Sequence, residues 1–113
     1  MTYLTELSEA IPQGKPGEQI SIKIYDGTFT SDLDSSQLIG IYSECVDRYK
    51  QAVKVIEKSL GAPNYMVSYD DESFPDWCTG VKVAVWKTSD GITYLSLSNH
   101  DPDLDTHIRY GCR

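Results

Sequence analysis

The sequence is poor in the residues that usually mark a catalytic or metal-binding protein. It holds 3 cysteines and 2 histidines in 113 residues. Cys45, Cys78 and Cys112 are odd in number, and no pair has the short spacing of a zinc site. There is no glycine-rich phosphate loop. Bases are also scarce: 10 Lys and Arg stand against 17 Asp and Glu, a net charge of −7. That balance argues against direct nucleic-acid binding, where neutralising phosphates supplies much of the affinity. It argues equally against docking on an anionic membrane surface. No apolar run approaches the roughly 20 residues that cross a bilayer. Met1 is followed by polar and acidic residues rather than by a secretory signal. Reduced thiols in a cytoplasmic protein are therefore expected, with no cofactor.

What the sequence does have is one long periodic stretch. From Ser36 to Leu60, apolar residues fall at Leu38, Ile41, Tyr42, Cys45, Val46, Tyr49, Ala52, Val53, Ile56 and Leu60. Steps of three and four predict an α-helix with one buried face. Asp34, Ser35 or Ser36 can cap its start, and Gly61 with Pro63 ends it. At about 1.5 Å per residue the helix is roughly 36 Å long.

The rest reads as short strands. Ile20, Ile22 and Ile24 alternate with polar neighbours, and 64–69 can form a second strand. Val81, Val83 and Val85 alternate with Lys82, Ala84 and Trp86; Asp90-Gly91 turns the chain, and 92–98 returns. Asp-Gly between two β-rich runs predicts a hairpin, because Gly accepts positive φ. Thr106, Ile108 and Tyr110 give a last strand. Leu4, Leu7 and Ile11 make residues 1–17 either a short helix or an N-terminal arm. The expected fold is a single α+β domain over 1–113, with one long helix on a mainly antiparallel sheet of four to five strands. The valine alternation is expected to face the helix and Trp86 the opposite side, where the N-terminal arm could cover it.

The hairpin has a consequence for charge. The loop at 70–76 feeds its first strand and the loop at 99–105 leaves its second, so both are expected at one end of the sheet. Seven acids would converge there: Asp70, Asp71, Glu72, Asp76, Asp101, Asp103 and Asp105. Phe74 and Trp77 lie among them. Acidic residues around aromatic centres suit a basic protein surface, since opposite charge speeds encounter and aromatics anchor. Ordinary solvated loops are the plainer alternative.

Catalytic and metal readings find less support. Asp101, Asp103 and Asp105 have the alternation of a calcium loop, but Thr106 stands where its glycine belongs and Cys112 where its bidentate glutamate belongs. Aspartate for turn formation explains the run. Cys78 with His100 or His107 would make a nucleophile and base only through geometry that no local signature announces. Cys45 reads as a small buried hydrophobe.

Finally, Leu60-Gly61-Ala62-Pro63, Trp77, the Trp86 to Leu97 hairpin, and Asn99-His100-Asp101 through Tyr110-Gly111 together resemble a pattern in small bacterial proteins. Some of these are immunity proteins of toxin–immunity pairs, of the contact-dependent inhibition and polymorphic-toxin kind. The resemblance covers about half the chain and rests on residues that keep a fold. It implies a bacterial cytoplasmic protein, identifies no toxin and carries over no binding residue. Together with the acidic loops and the lack of a catalytic motif, it makes the leading expectation an immunity protein, not an enzyme, that occludes a cognate, basic, nuclease-type toxin. The contacts expected from charge are Asp70, Asp71, Glu72, Phe74, Asp76, Asp101, Asp103 and Asp105. The alternative is a small regulatory or adaptor domain, a homodimer pairing through a strand edge or the Trp86 face.

Overall fold

The long apolar periodicity becomes a helix because both its ends are closed locally. Asp34 accepts a hydrogen bond from the Gln37 backbone N–H (2.9 Å), while the Gln37 side chain accepts from the Asp34 N–H (2.9 Å). This reciprocal box satisfies two donors that no helical carbonyl can reach. At the other end Gly61 takes φ +81° and its N–H donates to the Glu57 carbonyl (2.8 Å). The computed structural model describes residues 2–10, 19–27, 32–89, 91–99 and 104–113. Ile11, the connector at 12–17, Asp90, His100, Asp101 and Asp103 lie outside the described residues. Within them the order is α1 (Thr2–Ala10), β1 (Gln19–Tyr25), α2 (Ser35–Leu60), β2 (Tyr65–Ser68), β3 (Lys82–Thr88), β4 (Gly91–Leu97) and β5 (Thr106–Cys112).

The strands form one sheet in the order β1-β5-β4-β3-β2, with every neighbouring pair antiparallel. The fold is α+β: β2 to β5 are a meander, and α2 carries the chain from the β1 edge to the β2 edge. Strands β1, β2 and β4 finish at the end of the sheet where β3 and β5 begin, as the pairs Tyr25–Thr106, Ser68–Lys82 and Lys82–Leu97 show. Helix α2 starts at this same end.

The main core lies between α2 and one face of the sheet. Tyr49, Ala52, Val53 and Ile56 meet Ala84, Trp86, Leu95, Leu97, Ile108 and Tyr110, and α1 adds Tyr3 and Leu7 beside them. Trp86 is therefore on the helix side, only 2% exposed, and not on the opposite face. Its indole N–H donates to the Gly61 carbonyl (2.8 Å), fastening the hairpin to the end of α2. Val83 and Val85 face the other way, into a second cluster with Tyr94. The expected assignment of faces is reversed, because a strand buried on both sides has apolar residues at both parities and alternation cannot label the faces. Burial also removes the Trp86 face as a surface for pairing two chains. The N-terminal residues do cover the Trp86 side, through Leu7 and, in part, Leu4.

The second cluster needs its own lid, and the long β2–β3 connection supplies one. Phe74, Trp77 and Cys78 pack against the layer formed by Val83, Val85 and Tyr94. The Trp77 and Tyr94 rings are 4.9 Å apart, and the Arg113 guanidinium lies 4.7 Å from the Trp77 ring centre. The Tyr94 hydroxyl crosses over Gly111 to donate to the Gln19 side chain (2.7 Å). A Cβ at 111 would lie 2.4 Å from that hydroxyl, so only glycine lets the ring pass.

Candidate protein interface at one end of the sheet

Helix α2 is longer than the sheet it covers. Its 26 residues span about 39 Å, whereas a seven-residue strand spans roughly 23 Å. The buried residues of α2 begin only at Cys45. Its first ten residues, Ser35 to Glu44, thus overhang the end of the sheet. Tyr42, on this overhang, is half-buried beside Tyr69 and Asp70; burial first, and then those two groups, raise its phenol pKa.

The overhang and the end of β2 form a corner with apolar residues in the open. Ile39 is 68% exposed, Tyr69 58% and Met66 45%. A step of eleven residues returns to within about 20° on a helix, so Ile39 points the same way as Lys50. Lys50 lines a groove of about 310 Å³ between α2 and β2, with Tyr49 above and Met66, Ser68 and Lys82 below. Asp70 and Asp71 close one end of the groove.

Carboxylates are spread along this end of the sheet, from the β1 edge to the β2 edge. Asp70, Asp71 and Glu72 follow β2, Asp26 follows β1, Asp34 precedes α2 and Asp105 precedes β5, all of them exposed. Several have local work. Asp71 accepts from the Ser73 N–H (2.9 Å) and hydroxyl (2.7 Å), which holds its carboxyl below the ordinary value. Asp105 accepts from the Gly27 N–H (2.7 Å), tying the end of β1 to the start of β5. Asp26 pairs with Lys23 (2.7 Å). Asp70 and Glu72 have no hydrogen bond or ion pair among the described residues. The nearby bases are mostly engaged: Arg48 bonds Glu44 and the Ile24 carbonyl, and Lys82 bonds the Ser68 hydroxyl (2.9 Å).

Of the residues expected from charge, the structure brings Asp70, Asp71, Glu72 and Asp105 to one end. Phe74 is half-buried in the second cluster, and Asp76, exposed, travels with the same lid across the far face. Asp101 and Asp103 lie outside the described residues. The difference comes from the far face of the sheet: an apolar surface at Val83, Val85 and Tyr94 draws Phe74 and Trp77 over it. Sequence reasoning missed Ile39, Met66 and Tyr69. The signal available for them was a helix pattern longer than any strand pattern, which forces an overhang.

No family model matches this chain, and neither does any curated protein or solved structure.

The thiols fit poorly with nucleophilic chemistry. Cys45, Cys78 and Cys112 are free, and burial pushes the Cys45 and Cys78 thiols above their ordinary value. A reactive thiolate needs the opposite shift. No group of three His, Cys, Asp or Glu among the described residues is placed to hold a metal. What the corner offers is exposed apolar area beside Asp70, Asp71 and Glu72.

Proposed function

We propose that this chain is an immunity protein of a bacterial toxin–immunity pair. It binds a basic, nuclease-type toxin in the cytoplasm and covers the toxin's active or substrate-binding surface. The observation that supports this reading is the corner at which Tyr69 and Met66 stand exposed beside Asp70, Asp71 and Glu72, with Ile39 exposed on the overhanging start of α2. Such a patch works by division of labour. The carboxylates steer a cationic surface into contact and reject acidic ones, while the apolar side chains supply affinity once water is expelled. The mechanism is occlusion, with no chemistry performed by this chain.

The test uses as partner the protein that the tagged chain captures from cells carrying its native neighbouring genes, which should be basic. Asp70→Ser combined with Glu72→Ser disturbs no hydrogen bond among the described residues. It should slow association by roughly tenfold at low ionic strength and flatten the dependence on salt. An unchanged rate constant and salt slope would place the interface elsewhere.

A further inference from the structure

The two edges of the sheet are not alike. The β1 edge is blunted: its register shifts between Lys23 and Tyr25, Lys23 stands on it, and Arg48 occupies the Ile24 carbonyl. Bulges and charges of this kind prevent edge pairing. The β2 edge has no register shift within Tyr65–Ser68; its irregularity lies before the strand, where the Asn64 N–H also donates to the Val85 carbonyl (2.7 Å). The Tyr69 N–H donates inward to Val81 (2.9 Å), so the odd residues of β2 direct their backbone groups toward β3. The even ones, Met66 and Ser68, direct theirs outward. The Ser68 carbonyl is taken by the Asp71 N–H (2.9 Å). The Met66 N–H, the Met66 carbonyl and the Ser68 N–H remain without a partner among the described residues. The Met66 side chain lies beside them on the floor of the groove under α2, with Asp70 and Asp71 at its end.

We infer that β2 is a docking edge for an extended, cationic segment of the protein partner, which adds to the sheet as a sixth strand. The inference rests on the proposed function, because it names how the partner is held at that same corner. Backbone bonds to Met66 and Ser68 align the segment. Alternate side chains enter the groove over Met66, and a Lys or Arg of the segment reaches Asp70 and Asp71. Charge favours a cationic occupant at the Asp70–Asp71 end, where the carboxylates of Asp70 and Glu72 have no ion pair among the described residues; of the two lysines that also line the groove, Lys82 is held by the Ser68 hydroxyl. Main-chain pairing with side-chain pockets at alternate positions is a general mode of peptide capture.

The decisive variant is Met66→Pro. Its outward N–H makes no bond among the described residues, and proline is tolerated on an edge strand when the lost N–H faces solvent. The fold should survive, which circular dichroism checks. The probe is a labelled, alternating Lys-Val hexapeptide, read by fluorescence anisotropy. Wild type should bind it, Met66→Pro should weaken binding by roughly tenfold or more, and Asp70→Ser should weaken it in a salt-dependent way. A hexapeptide N-methylated at alternate positions should also fail to bind; it serves as the test if Met66→Pro unfolds. Binding lost with Asp70→Ser but untouched by Met66→Pro and by N-methylation would overturn strand addition and leave the acidic interface standing. No binding to wild type would overturn the inference, and the rate experiment with the basic partner would still judge the proposed function separately. If sedimentation shows a wild-type dimer that Met66→Pro converts to monomer, the occupant of the edge is a second copy of this chain, which also overturns it.

Discussion

Trp86 shows how one residue can join two parts of the chain that the sequence keeps 25 positions apart. Its ring fills the main core and its N–H finds the Gly61 carbonyl, one of those that the end of α2 leaves without a helical donor. Trp86→Phe keeps most of the ring but orphans that carbonyl, at a cost of about 0.5–1.5 kcal/mol for the hydrogen bond. Trp86→Ala removes the ring as well and costs about 3–5 kcal/mol, much of a typical domain's total of about 5–15 kcal/mol. Urea unfolding of both variants should show that order, with Trp86→Ala close to unfolded without denaturant. Leu60-Gly61-Ala62-Pro63 and the tryptophan of the hairpin were legible as separate signals. That they form one joint was not, because sequence carries no information about which carbonyl a buried indole will meet.

At the scale of elements, α2 divides into a structural part and an overhanging part. Ile56 is fully buried, whereas Ile39, one of the same residue type on the same helix, is mostly exposed. Ile56→Ala should destabilise the fold by about 2–5 kcal/mol. Ile39→Ser should change stability by no more than about 0.5 kcal/mol yet weaken binding of the basic partner. Thermal melts and binding isotherms of the two variants separate the roles; an Ile39→Ser variant with unaltered affinity would remove the overhang from the interface. The helix itself was readable from its period. Among three candidate caps, Asp34 prevails because Gln37 then falls at the third helical position and returns the bond. The loop at 70–76 was readable as a loop, but not as a lid, since its route depends on which sheet face lacks cover.

For the whole molecule, the two-layered burial has a consequence at high pH. Burial pushes the Tyr110 phenol up to about 12 and raises Tyr49 further still, and it raises Tyr3 and Tyr94 as well. An unfolded tyrosine loses its proton near 10. Between about pH 10 and the folded values, the unfolded chain therefore binds fewer protons than the native one, and stability falls as pH rises. Below that window these tyrosines exert no pH dependence. Tyrosinate absorbance should lag in the folded protein and appear together with loss of the native circular dichroism signal; full ionisation in the folded state would contradict the burial. The sequence by itself determined the elements, their antiparallel order around Asp90-Gly91, and the excess of acid, because periodicity, turn chemistry and charge are local properties of a chain. Only the tertiary structure decided which strand face meets α2, which acids share a corner with exposed apolar residues, and which sheet edge stays open. Those depend on competition between distant surfaces for the same cover, and no segment holds that information alone.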